Sequence, residues 1–94
     1  MSQIIFNIER DIAGNRFLLK LDNERAYLEY VIDENLITLL HTYVPVELEG
    51  RGAGSALVKH ALHFASQNNL KVKATCEFAQ SYISKNINRY KELL

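Results

Sequence analysis

Residues 44–57 read VPVELEGRGAGSAL, and this stretch decides how the chain is organised. Upstream of it, apolar and polar residues alternate, which is typical of strands with one buried face. Downstream of it, from Gly52 to Gln67, apolar residues recur at the spacing of an amphipathic helix. Glycines stand at positions 50, 52 and 54, between the strand and this helix. The stretch therefore predicts a strand, a glycine loop and a helix in direct succession.

The remaining pattern predicts an α/β (α+β) fold. Strands are expected over 4–9, 16–21 and 25–32, and the short polar connections between them favour antiparallel neighbours. Leu36–Val44 is mostly apolar on both faces, which favours an interior strand covered on both sides. Leu70–Cys76 is expected to be the last strand, and the chain from Phe78 onward is expected to be helical. We therefore expect a mixed, mostly antiparallel sheet with helices on both faces.

Length and composition exclude several classes of protein. The 94 residues predict a single domain, 1–94, and 48% of them are hydrophobic, which argues against disorder. Eleven basic residues balance eleven acidic ones, so a broad basic surface for nucleic acid is not expected. A single cysteine excludes an internal disulfide, and no second ligand stands at metal spacing beside His60 or His63, so no metal site is expected. With neither a signal peptide nor a long apolar run, we expect a cytoplasmic protein outside the membrane.

The glycine loop has the chemistry of an anion-binding site. The first N–H groups of a helix are unpaired and carry partial positive charge, and glycines let a phosphate approach the backbone. A tight turn without a ligand is the alternative. A P-loop would require a lysine before Ser55, where Gly54 stands instead. A dinucleotide fingerprint beginning at Gly50 would require a glycine where Ser55 stands, and the βαβ order is missing.

The loop resembles motif A of the Gcn5-related N-acetyltransferases (GNAT). In that motif a strand ending in x-Pro is followed by Gln/Arg-x-x-Gly-x-Gly/Ala, and Glu49 stands here at the Gln/Arg position. The string 41–45, HTYVP, together with Cys76 and Tyr82, extends the resemblance to small stand-alone GNAT-like proteins. The resemblance runs from Phe6 to Leu94 and implies a truncated C-terminus, because no strand follows the last helical region.

The resemblance implies an acetyl-CoA site. Backbone N–H groups of the loop would hold the pyrophosphate, and the pantetheine would lie where Leu36–Val44 and Leu70–Cys76 separate. The cofactor-binding residues implied are Val44, Glu49, Gly50, Arg51, Gly52, Ala53, Gly54 and Ser55.

The implied activity is an N-acetyltransferase that moves an acetyl group from acetyl-CoA to an amine. The alternative is a non-catalytic acyl-CoA-binding or interaction module with the same fold. The sequence identifies neither the amine acceptor, which could be a protein or a small molecule, nor the oligomeric state.

Three residues are candidates for catalysis. Cys76 precedes a helix, where the helix dipole favours a thiolate, and the resemblance places it beside the acetyl thioester. A small buried hydrophobe is the alternative, and direct attack by an amine would not require the thiol. His41 could act as a base, or it could be a hydrogen-bonded core residue. The resemblance gives Tyr82 a place near the departing CoA thiolate, and simple aromatic packing is its alternative.

Overall fold

The computed structural model describes residues 6–94, so the predicted strand residues Ile4 and Ile5 lie outside the described residues. The strands are β1 (Asn7–Asp11), β2 (Arg16–Leu21), β3 (Glu24–Asp33), β4 (Leu36–Tyr43) and β5 (Lys71–Ala74). The helices are α1 (Ala53–Gln67), α2 (Glu77–Lys85) and the short α3 (Ile87–Tyr90). Single 3₁₀ turns cover Val46–Leu48 and Lys91–Leu93.

The five strands form one sheet in the order β1-β2-β3-β4-β5. The first three pairs are antiparallel, and β4 pairs with β5 in parallel. A parallel pair needs a long crossover, and α1 supplies it between β4 and β5. The predicted mixed, mostly antiparallel sheet with helices is therefore confirmed.

The core lies on one face of this sheet, which we call the inner face. Both main helices contribute to the same buried cluster as the strands, with members that include Phe17, Leu19, Leu28, Ile37, Leu39, Leu57, Ala61, Ala79 and Ile83. The helices also contact each other. The expectation of helices on both faces is therefore corrected: in the described part of the chain, α1 and α2 share the inner face.

The expectation of two covered faces came from the apolar residues on both sides of β4. Ile37 and Leu39 are buried, whereas Leu40, His41 and Tyr43 are exposed. These exposed residues do not mark a second covered face. On the opposite face of the sheet, which we call the outer face, Val31 of β3 is also 45% exposed.

A β-bulge at Leu40 sits where β4 and β5 separate. Tyr30 pairs with Leu39 and Glu29 pairs with His41, so Leu40 has no partner on β3. The pairing of β4 with β5 ends at Leu39 and Ala74. Since a bulge bends its strand and increases the local twist, the second half of β4 diverges from the path of β5. The ladder between the two parallel strands therefore ends before Thr42, in the region where the resemblance implies that they separate.

Neighbouring leucines test this description of the bulge. Leu39 is fully buried, so we expect Leu39→Ala to lower the free energy of unfolding by about 2–5 kcal/mol. Leu40 is 43% exposed, so Leu40→Ala should cost less than about 1 kcal/mol. Denaturant unfolding of both variants makes the comparison. Equal losses would contradict the placement of Leu40 on the exposed face.

Candidate functional site

The loop between β4 and α1 is shaped by its backbone. Pro45 is buried and has no N–H to continue the sheet, and the fully buried Leu48 anchors the 3₁₀ turn that follows. Gly50 and Gly52 then adopt left-handed conformations, with φ of 75° and 85°. A Cβ at either position would meet nothing within 4 Å, so backbone conformation rather than crowding favours glycine there.

Gly54 serves a different purpose. It is buried in the first turn of α1, and a Cβ built on it would lie 2.8 Å from Cζ of Phe78. The missing side chain therefore lets the start of α1 approach the start of α2. Gly54 is a packing position and does not itself line the cleft described next.

A cleft of about 460 Å³ opens beside the loop. Its lining consists of Thr42, Val44, Leu48, Glu49, Gly50, Gly52, Ala53, Ser55 and Phe78. Six of the eight predicted cofactor-binding residues are in this set, and Arg51 and Gly54 are not. The guanidinium of Arg51 instead forms an ion pair with Asp22, with 3.1 Å between Nη1 and Oδ2.

Three lining residues were not among the predicted cofactor-binding residues: Thr42, Leu48 and Phe78. Thr42 lies within the 41–45 string, and a polar residue in an apolar strand is the signal that could have identified it. Phe78 gave no such signal, because its place in the cleft depends on the packing of α2 against Gly54, far away in sequence.

The start of α1 leaves its first N–H groups uncapped. The N-cap residue Gly52 has no side chain to accept from them, and no acidic residue stands in the first turn. These N–H groups face the loop end of the helix and carry partial positive charge, so they can bind an anion. The glycine loop therefore combines an electropositive helix end with an adjacent cleft.

Cys76 lies at the N-cap of α2, and its Sγ is 3.4 Å from Oγ1 of Thr42. Burial of the thiol opposes ionisation. The hydroxyl of Thr42 and the N–H groups of Ala79 and Phe78 favour the thiolate and outweigh burial, so the pKa of Cys76 is lowered. No N–H of the first turn closes a complete capping hydrogen bond to Sγ, so the Thr42 hydroxyl is the clearest single contact.

His41 lies on the other side of the sheet from Cys76. Successive strand residues point to opposite faces, and it is Thr42 that contacts Cys76. His41 instead packs edge-on against Tyr27, with ring centroids 6.2 Å apart, and pairs in register with Glu29. The structure therefore does not bring His41 and Cys76 together.

Tyr82 is half-buried on α2, and its ring centroid lies 6.1 Å from that of Tyr90. Burial and the neighbouring Tyr90 hydroxyl raise the pKa of Tyr82 to about 12. The phenol therefore stays protonated at neutral pH, where it can donate a hydrogen bond but is a weak acid. Tyr82 is not among the residues that line the cleft.

Within residues 6–94, no group of three or more His, Cys, Asp or Glu side chains is arranged to hold a metal ion. In the same range, no helix is both long and apolar enough to span a bilayer.

The hydroxyl contact to Cys76 can be tested by alkylation of the thiol. Because a thiolate reacts with iodoacetamide and a thiol does not, the rate should reach half its maximum at a pH below that of an ordinary cysteine. Thr42→Val removes the hydroxyl and should move that midpoint upward. Thr38→Val is the matched control, since Thr38 lies on the same strand but pairs with the exposed Val31 on the outer face, away from the thiol. An equal shift in both variants would contradict the role of Thr42.

Comparison with known proteins agrees with this fold and loop. A family model described as GCN5-related N-acetyl-transferase matches residues 16–93. Protein NATD1 of Gallus gallus is 34% identical over 82 residues, which cover 84% of this chain and 74% of that protein. For Protein NATD1 of Homo sapiens the identity is again 34% over 82 residues, covering 84% and 73%.

A solved structure extends the comparison to three dimensions. The NMR solution structure of a GCN5-like protein from Staphylococcus aureus superposes with a TM-score of 0.72 at 34% identity, covering 93% of this chain and 85% of that chain. The family model spans the structure from β2 to the final 3₁₀ turn, including the glycine loop and Cys76. The chain therefore belongs to the GCN5-related N-acetyltransferase family.

Proposed function

We propose that this protein binds acetyl-CoA in the cleft beside the glycine loop and transfers the acetyl group to an amine. The observation that carries the proposal is that two features lie next to one cleft, whose lining includes Thr42 but not Cys76 itself. The uncapped start of α1 can hold an anion, and Thr42, which lines the same cleft, also contacts the thiol of Cys76.

The residues of the loop fit a pyrophosphate. Gly50 and Gly52 leave open space where a Cβ would stand, so two phosphates can reach the backbone N–H groups. Arg51 is held by Asp22, which leaves the carboxylate of Glu49 without that partner, so binding relies on the backbone. The pantetheine arm fits the gap that opens beyond Leu39, next to Thr42 and Val44.

The contacts of Cys76 support a route through its sulfur. Acetyl-CoA supplies an acetyl thioester. The thiolate of Cys76 attacks the carbonyl carbon of the acetyl group, and the CoA sulfur leaves as a thiolate. The amine then attacks the thioester on Cys76, Sγ leaves as a thiolate, and the amine loses a proton to solvent. Direct attack of the amine on acetyl-CoA is the alternative, and it requires none of the contacts that favour a thiolate at Cys76.

A variant of the loop tests cofactor binding. Gly52→Val places a branched side chain in the open space and in a left-handed conformation, so the affinity for CoA should fall at least tenfold, which is about 1.4 kcal/mol. Isothermal titration calorimetry measures it. Ile12→Ser is the control. Ile12 is exposed in the β1–β2 turn, so this variant should bind CoA with the same affinity as the wild type. A folded Gly52→Val variant with unchanged affinity would remove the loop from the site.

Selectivity provides a second check on the same site. Neither ATP nor NAD should give a saturable thermal shift, because the lysine of a P-loop and the topology of a dinucleotide fold are missing. CoA and acetyl-CoA should each give one. A shift with ATP or NAD alone would overturn the cofactor assignment.

The chemical route is tested at Cys76. Acetyl-CoA without an acceptor should leave an acetyl adduct on the intact protein, detectable by mass spectrometry and lost in Cys76→Ser. In Cys76→Ser, turnover with an amine should fall by orders of magnitude, because a hydroxyl is a far poorer nucleophile than a thiolate near neutral pH. If Cys76→Ala keeps most of its turnover and no adduct forms, the amine attacks directly. A bound cofactor with no acceptor-dependent CoA release would instead indicate a non-catalytic acyl-CoA-binding module.

A further inference from the structure

Three glutamates stand at the cleft beside the glycine loop. Glu49 lines the cleft, and it makes no salt bridge within residues 6–94. Glu47 directly precedes the lining residue Leu48, and Glu77 directly precedes the lining residue Phe78. Both of these glutamates are exposed, and neither forms a salt bridge with another described residue. We call Glu47, Glu49 and Glu77 the acidic rim.

The neighbouring cationic side chains do not neutralise the acidic rim. Arg51 belongs to the loop, but its guanidinium is paired with Asp22. Lys59 follows Ser55 by one turn of α1, and it lines a separate cavity of about 610 Å³ that shares no described lining residue with the cleft. Among the described lining residues of the cleft there is neither a lysine nor an arginine. The side chains at the cleft are therefore net negative.

The attraction for an anion comes from the backbone alone. The first N–H groups of α1 are uncapped by any side chain and carry partial positive charge, whereas the acidic rim carries full negative charges. A phosphate at the loop gains the hydrogen bonds of these N–H groups and is repelled by the rim. The two effects oppose each other, so phosphate charge contributes less to binding here than in a site with cationic side chains.

The remaining walls of the cleft suit an uncharged chain. Leu48 is fully buried, Val44 is half-buried, and the ring of Phe78 is 44% exposed. Thr42 lines the same cleft and places its hydroxyl 3.4 Å from Sγ of Cys76. In acetyl-CoA an uncharged pantetheine arm joins the phosphates to the thioester. This arm can contact the apolar walls without meeting the repulsion that the phosphates meet.

We propose that the acidic rim makes the cleft select its donor by the pantetheine arm instead of by phosphate charge. This inference rests on the proposed function and narrows its donor class to pantetheine thioesters. Glu49 is the main specificity-determining residue, because it is the member of the rim that lines the cleft. A polyphosphate without the arm meets the repulsion of the rim and gains no contact with the apolar walls, so it is rejected.

Removal of single charges from the rim tests the proposal by isothermal titration calorimetry with CoA. Glu49→Gln keeps the shape of the side chain and should raise the affinity about two- to fivefold. Glu47→Gln and Glu77→Gln should each give a smaller gain in the same direction. Glu34→Gln is the matched control. It removes the same charge from the exposed β3–β4 turn, at the opposite end of β4 from the cleft, and should leave the affinity unchanged.

An uncharged donor separates charge from shape. S-acetylpantetheine has the arm and the thioester but no phosphate, so it should bind the wild type and Glu49→Gln with equal affinity. Salt provides a second measure, because it screens exposed charges. Between about 50 mM and about 500 mM NaCl, the affinity of the wild type for CoA should stay constant or rise, whereas a site built from cationic side chains loses affinity.

Four results would overturn the proposal while CoA binding itself remained established. The first is equal CoA affinity in the wild type and Glu49→Gln, and the second is an equal gain in Glu34→Gln. The third is a matching gain for S-acetylpantetheine, which would indicate a change of shape. The fourth is a tenfold loss of CoA affinity as the salt concentration rises. If neither CoA nor S-acetylpantetheine binds the wild type, the proposed function fails and the donor selectivity fails with it.

Discussion

The carbonyl oxygen of Leu39 is the contact on which the candidate site depends. It accepts from the N–H of Thr75 at 3.0 Å and from the N–H of Cys76 at 3.4 Å, and the hydroxyl of Thr75 also donates to it. These bonds end β5 and turn the chain into α2. Because the same turn holds Cys76 opposite Thr42, one carbonyl fixes the position of the thiol. The side chain of Leu39 is fully buried, so this turn is attached directly to the hydrophobic core.

The glycine loop divides its tasks among three similar residues. Gly50 and Gly52 adopt left-handed backbone conformations that other residues rarely take. Gly54 has an ordinary backbone conformation, but the ring of Phe78 leaves no room for a side chain there. The first pair shapes the end of α1, and the third brings α1 against Phe78 of α2. Sequence spacing alone treats the three as equivalent, since the distinction depends on φ angles and on a contact between helices.

Much of the fold could be predicted from local patterns, and the errors have a common physical origin. Alternation and helical spacing predicted the strands, α1 and the glycine loop, and Cys76 was placed correctly at a strand–helix junction. The face to which a residue points could not be predicted beyond Leu39, because the unpaired Leu40 changes the alternation. The same bulge explains why the apolar pattern of β4 suggested two covered faces. The contact of Gly54 with Phe78 could not be predicted from the sequence, because the two residues belong to helices that meet only in the packed structure.

The position of β5 at the end of the strand order has a consequence for association between molecules. An unpaired strand edge offers N–H and C=O groups to strands of other chains. Here that edge is only four residues long and carries the exposed lysines 71 and 73. The side-chain amide of Gln80 donates to the carbonyl of Ala74, and Nζ of Lys71 donates to the carbonyl of Glu92. The two lysines and the occupied carbonyl of Ala74 discourage edge-to-edge addition, so the sheet resists extension at β5.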